Sequence, residues 1–390
     1  MSAKIKPAWN SLTGAAVDLR RALHREPELA WQEERTAAII RARLDELGIR
    51  WRACAGTGTI GELAPDRPGR HVALRADIDA LPIHEESGVE WASRRPGYMH
   101  ACGHDGHAAT LFAAAAWLKH HEAELPGPVS LLFQPAEEGG HGAKRMIEDG
   151  ALDGVDAIFG WHNWPAIPYG KAVCPDGAVM AGNGTFEIEV KGQGGHSSQP
   201  EACRDPVLAG SAIVVALQQL VSRRLSPQYA TVLSVTSFEA PSAVTVIPDT
   251  ARLKGSFRLG NSGTREPLSK LIAEVAENTA RAHGVTCDVV IHPRYDATVN
   301  HPAEAAEYRQ ALVSELGDAV IDRELPMPIM ASEDFSYYLN ETPGAFALIG
   351  ADDGNEHHHP CHSPMYDFND RLIAPVAAVF ARLAGAPVTR

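Results

Sequence analysis

Five short stretches of this chain concentrate side chains that bind metal ions or move protons. Asp77 and Asp79 lie in RADIDALP (75–82), Cys102 and His104 in HACGHDGH (100–107), and Glu137 and Glu138 in QPAEEGG (134–140). His162 lies in GWHNWP (160–165) and His362 in CHSPMYDFND (361–370). Thiolate, imidazole and carboxylate are the donors that borderline divalent ions take. Asp77 and Asp79 are two apart, so an extended backbone points both the same way. Gly103 separates Cys102 from His104 and lets both turn toward one point. Taken singly, each has a plainer reading: a histidine as a satisfied polar group, a Glu pair as solvated surface, an aspartate as a turn cap, a cysteine as a small apolar filler. Those readings do not account for all five stretches falling at strand ends or beside a helix start.

The elements that must position these residues can be read from periodicity. Helical spacing marks 30–48, 105–121 and 143–150, and apolar runs mark strands at 71–77, 128–135 and 155–161. Strands alternating with helices predict an α/β sheet with covered faces. The pattern changes at TFEIEVKG (185–192), which alternates polar and apolar as a half-exposed strand should. A helix near 204–223, strands near 230–238 and 249–259, a helix near 264–283 and a strand at 285–292 follow. That order is βαββαβ and suits a small open sheet with helices on one face. After Pro302 the α/β style returns, with a helix near 303–316, a strand at 344–350 and a closing helix near 370–385. The simplest organisation is a small domain at 183–295 inserted between catalytic parts at 1–182 and 296–390.

Composition narrows the function. At 390 residues, 45% hydrophobic and 22% charged, the chain is ordinary globular protein and long enough for two or three domains. A net charge of −14 disfavours nucleic acid and anionic membrane as partners, since phosphates are repelled. It leaves room for a small anionic substrate held by a local cation. The start, MSAKIKPAWN, lacks a signal-peptide apolar core, and no run of about 18 apolar residues predicts a membrane span. The expected location is the cytoplasm. Six scattered cysteines (54, 102, 174, 203, 287 and 361) fit buried fillers with a metal role for one or two better than a disulfide framework.

RADIDALP, HACGHDGH, QPAEEGG, GWHNWP, GGHSSQP (194–200) and HSPMYDFND together resemble the M20 metallopeptidase family, in its hippurate-hydrolase and auxin-conjugate amidohydrolase branch. The resemblance runs from about residue 15 to the C-terminus. It implies a zinc-exopeptidase-like α/β sandwich carrying an inserted ferredoxin-like lid, through which some members dimerise. It also implies two divalent ions (Zn, Mn, Co or Ni) on Cys102, His104, Glu138, His162 and His362. Glu137 falls on the general base, Asp79 on the aspartate that orients the metal site, and Asp77 where other branches carry a ligand histidine. His196 falls on the lid histidine that reaches the active site, and Arg258 on the lid arginine that holds a substrate carboxylate. The implied reaction is hydrolysis of an N-acyl amino acid of N-acetyl or N-aroyl type.

Two positions depart from the pattern. Thr245 stands where most relatives have a carboxylate-binding Asn, and Glu201 stands where many have His. Threonine offers one hydrogen bond and no amide fork. An acidic residue near the mouth favours a cationic side chain on the substrate, so an N-acetyl-diamino-acid deacetylase is one alternative. A dipeptidase or carboxypeptidase using the same site is another. A redox protein built on Cys102 is disfavoured, because no Cys-x-x-Cys occurs.

Overall fold

The computed structural model of the chain describes residues 9–388. Most of the MSAKIKPAWN segment, on which the leader-peptide expectation rests, lies outside them. The described chain divides into two compact units. The larger takes the chain up to Val179, Val299–Pro326 and Asp334 onward; the smaller takes Met180–Thr298 and Met327–Glu333.

The larger unit is built on a seven-stranded sheet. Its spatial order is Arg50–Cys54, Gly58–Leu63, Val129–Gln134, Val72–Asp77, Ala157–Pro168, Gly344–Asp352 and Ala172–Val173. The four central strands from Val129–Gln134 to Gly344–Asp352 run parallel, and the flanking pairs are antiparallel. Val72–Asp77 and Val129–Gln134 are buried at every position, as a sheet covered on both faces requires. Asp77 is paired with Gln134, and His162 with Leu348. Donors far apart in sequence are thus set at the carboxyl ends of parallel strands, where open α/β sheets form their crevices.

His104–His120 packs against Val72–Asp77 and against helices Trp9–Arg25 and Ile373–Leu383. It is buried on all sides over most of its length, and its alanines at 108, 109 and 113–116 let those neighbours approach closely. Leu111 and Leu118 are fully buried there, each worth about 1.5–3 kcal/mol of burial. The helix is therefore a fixed post, and the donors at its first turn inherit that rigidity.

The smaller unit is a four-stranded antiparallel sheet in the order Thr231–Glu239, Thr250–Leu259, Gly182–Lys191, Thr286–Pro293. Helices Pro206–Gln219 and Arg265–Ala282 pack on it, closing a core around Phe186, Ile213, Leu253, Phe257 and Ile272. Met327–Glu333 joins this unit from well beyond the 183–295 segment: the Ala181 amide donates to the carbonyls of Ile329 and Ala331 at 2.9 Å. One helical stretch, Pro206–Arg224, is long and apolar enough to cross a membrane by length and composition. The stretch is not an uninterrupted apolar run, because Ser211, Gln218, Gln219 and Ser222 break it. Its inner face (Ala209, Ile213, Leu217, Leu220) belongs to the core, whereas Leu208 and Val215 are exposed.

Candidate metal centre

The larger unit brings five donor residues into one cluster. Cys102, His104 and His162 have ligand atoms within 4.8 Å of one another, and so do Cys102, Glu138 and His362. Cys102 is common to both groups. His104, Glu137 and Glu138 form a third set on the same criterion.

Local backbone geometry makes this convergence work. Gly103, at φ 93°, precedes the helix that starts at His104; a Cβ there would strike Asn163 and the Tyr366 hydroxyl. Ala136 and His362 take left-handed φ values of 54° and 69°. Non-glycine residues in that region store about 1–3 kcal/mol of strain each, which the surroundings must offset. Around His362 that offset includes a backbone bond from its amide to the Ala101 carbonyl at 2.7 Å.

His104 and His162 are each held through Nδ1. His104 Nδ1 lies 3.2 Å from Asp79 Oδ1, and His104 Nε2 is buried without a hydrogen-bond partner. His162 Nδ1 donates to the Asn163 carbonyl at 2.6 Å, and its Nε2 lies 3.3 Å from Cys102 Sγ. His362 Nε2 lies 3.2 Å from Glu138 Oε1. Asp79 spends its other oxygen on the Glu138 amide at 2.9 Å, tying two donor residues with one carboxylate. Glu137 Oε1 accepts from the Asp334 amide at 3.3 Å. Asp77 Oδ2 stands 3.6 Å from the His104 Nε2 nitrogen, too far for a hydrogen bond. A buried imidazole nitrogen with no hydrogen bond, in a residue clustered with a thiol and a carboxylate, is what a cation would satisfy, and this mixed donor set suits borderline divalent metals.

The charges agree. Burial disfavours a cation at His104, but the carboxylates of Asp77 and Asp79 outweigh it and carry the imidazole up to about 10. Burial and the neighbouring His107 hold His162 well below the usual imidazole range. A hydrogen bond with the Cys361 thiol, then burial, push the Cys102 thiol well above its ordinary value. Burial opposes charge on Glu138, yet His362 and His104 hold its carboxyl below the usual range. An ion bound here takes the place of protons, since metal ligation requires free imidazole and thiolate.

Asp77 turns to the scaffold. Its Oδ1 is 2.6 Å from His107 Nδ1, and its Oδ2 accepts from Arg75 Nη1 at 2.7 Å. Arg75 also reaches Asp334 at 3.0 Å and Gln134 at 2.7 Å, all fully buried. Removing one member of such a buried set costs about 3–5 kcal/mol. Sequence reasoning passed over His107, Arg75, Asn163 and Asp334. His107 had a signal, since it lies one helical turn after His104 on the same face. It also passed over a buried charge cluster behind the helix start. There Asp105 pairs with Arg20 at 3.0 Å and His24 at 2.8 Å, and Arg20 also pairs with Asp367.

His196, Thr245 and Arg258 belong to the smaller unit. His196 pairs with Val246 in a short antiparallel ladder, and the Thr245 carbonyl accepts from the Ser197 amide at 2.9 Å. His196 is exposed, with Nδ1 accepting from the Ser198 amide at 3.1 Å. Glu201 is exposed in the short turn Pro200–Ala202. Arg258 is half-buried and donates to Ser332 Oγ at 2.8 Å. Burial, then the charge of Arg294, lower its guanidinium from the ordinary value. Arg294, which the sequence reading did not single out, sets a second cation beside it.

The chain belongs to the M20/M25/M40 peptidase family, whose model matches residues 73–386. It is 41% identical over 376 residues to an IAA-amino acid hydrolase (ILR1-like 2) of Arabidopsis thaliana, covering 94% of this chain and 84% of that one. It is 36% identical over 381 residues to a hippurate hydrolase of Campylobacter jejuni, covering 97% and 98%. Among solved structures, the YXEP protein of Bacillus subtilis, described as a dinuclear metal-binding M20 peptidase, matches with a TM-score of 0.84. That match has 33% identity and covers 96% of this chain and 98% of the other. The chain is thus an α/β hydrolytic enzyme of a metal-dependent family.

Proposed function

We propose that this enzyme hydrolyses the amide bond of N-acyl amino acids of N-acetyl or N-aroyl type. The observation that carries the reading is the pair of donor groups sharing Cys102 with Glu137 alongside. Cys102, His104, Glu138, His162 and His362 would hold two divalent ions, with Zn, Mn, Co and Ni all compatible with the donors. When bound, such a pair lowers the pKa of a shared water toward neutrality and polarises the amide carbonyl.

The chain's own residues do the rest. Glu137 takes the water's proton on its carboxylate and passes it to the leaving nitrogen. Asp79 fixes the His104 ring and the Glu138 backbone, so the donors are preorganised. His196 donates toward the developing oxyanion, a contact worth about 2.7–4 kcal/mol where such donors have been removed. Arg258 pairs with the substrate carboxylate in a fork, with Arg294 adding charge and Thr245 one further hydrogen bond. Because His196 and Arg258 sit on the 183–295 segment, read as a lid, substrate-driven closure would complete the site.

The exposed Leu208 and Val215 on Pro206–Gln219 support a homodimer formed through the same segment. Six free cysteines support a reducing, cytoplasmic setting.

The test is a substrate panel on metal-reconstituted enzyme: N-acetyl and N-benzoyl amino acids, N-acetylated diamino acids, and dipeptides. Turnover of the N-acyl compounds, abolished by chelator and restored by Mn²⁺ or Zn²⁺, is expected. A strict requirement for a free α-amino group on the acyl side would replace this reading with a dipeptidase.

A further inference from the structure

We propose that Cys102 and Cys361 form a peroxide-driven, thiol-reversible disulfide that excludes metal from the donor cluster. Cys361 immediately precedes His362, and the bond from the His362 amide to the Ala101 carbonyl, 2.7 Å long, lays the two cysteine-bearing segments side by side. Cys361 Sγ lies 4.0 Å from the Cys102 carbonyl oxygen, and Asn163 Nδ2 lies 4.0 Å from the same sulfur. A disulfide bridges Cβ atoms about 3.5–4.5 Å apart, and the Cys361 sulfur already lies against the Cys102 main chain. Cys102 is buried, whereas Cys361 is partly exposed, so an oxidant meets Cys361 first.

The chemistry closes with peroxide as the oxidant. Peroxide converts the Cys361 thiol to a sulfenic acid and releases one water. The Cys102 thiol attacks that sulfur, the S–S bond forms as the S–O bond breaks, and the hydroxyl leaves with the Cys102 proton as a second water. Two thiols are oxidised by two electrons, and one peroxide is reduced to two waters. The cost to the site is specific: Cys102 is the one member shared by both donor triads, and a sulfur tied to Cys361 is no longer a thiolate ligand. Crosslink and bound ions therefore exclude one another. In return, the crosslink shields Cys102 from irreversible oxidation to sulfinic acid.

The crosslink rests on thiol geometry alone, while its effect on ions rests on the proposed metal centre, so the two are read separately. Full-length, Mn²⁺-loaded enzyme is treated with hydrogen peroxide in slight excess. It is then followed by non-reducing peptide mapping, intact mass and bound ion per chain. The expected result is a Cys102–Cys361 linked peptide, a mass loss of about 2 Da and a parallel loss of ions, all reversed by dithiothreitol with fresh Mn²⁺. C361S, or C361A should the first fold poorly, should bind ions as the parent does, form no link, and accumulate Cys102 sulfinic acid that dithiothreitol does not reverse. Absence of the linked peptide in the parent, or equal recovery of C361S under dithiothreitol, overturns the disulfide. A linked peptide formed with ion content unchanged overturns the exclusion of metal.

Discussion

Asp79 Oδ1 holds His104 by its Nδ1 at 3.2 Å, and His104 Nε2 is left buried without a hydrogen bond. The same carboxylate grips the Glu138 amide, so one residue sets the direction of two donors. Asp79→Asn keeps the shape but weakens both contacts. Metal affinity should fall by about 10–100-fold, the range for losing a carboxylate that orients a ligand histidine. Competition with a chelating dye measures it; unchanged affinity would remove Asp79 from this role.

Glu137→Gln separates proton transfer from metal holding. The ligands stay, so ion content should match the parent, while kcat drops by about 10²–10⁴-fold for want of a base. Ion content by atomic emission and steady-state kinetics decide it. Near-normal kcat would contradict the assignment.

Arg258→Ala tests the carboxylate contact. A lost hydrogen bond to a charged group is worth about 1.5–3 kcal/mol, so kcat/KM for an N-acyl amino acid should fall roughly 10–100-fold. The matching N-acyl amine, which lacks the carboxylate, should lose little. Equal losses on both compounds would make Arg258 structural.

Glu33 gives a pH signature. It accepts from the Ala136 amide at 2.9 Å and the Thr57 hydroxyl at 2.7 Å, bracing the turn that leads to Glu137. Burial, then the Asp79 carboxylate, push its carboxyl from 4.5 up to about 7. A carboxyl raised on folding favours the folded state while protonated. That stability is complete below about pH 4.5 and is lost as pH climbs through about 7. Glu33→Gln keeps hydrogen-bonding capacity without the charge. Metal-free Glu33→Gln should therefore exceed the parent in stability by about 1–3 kcal/mol near pH 8, with the gap closing toward pH 5. Urea unfolding across that range checks it; a constant gap would contradict it.

The donors were legible in the sequence because metal-binding side chains cluster in short motifs at strand ends, and the parallel strands bearing them are uninterrupted apolar runs. What held those donors in place was much harder to read. Helix Trp9–Arg25 escaped notice because Arg20 and His24 occupy its buried face and break the apolar stripe. Their partners Asp105 and Asp367 lie 81 or more residues away, and no local pattern encodes such a pair. The hairpin Arg50–Leu63 was missed as well, since its strands of five and six residues carry a weak periodic signal. Asp77 read as a residue at a ligand position, and only the fold revealed that both its oxygens are committed to His107 and Arg75.

Anomalous diffraction from crystals of the Zn²⁺- or Mn²⁺-loaded enzyme tests the metal centre most directly. Two peaks are predicted, with Cys102, His104, Glu138, His162 and His362 as their ligands. A single ion bound away from Cys102, or two ions that leave His104 Nε2 without a bond, would contradict it.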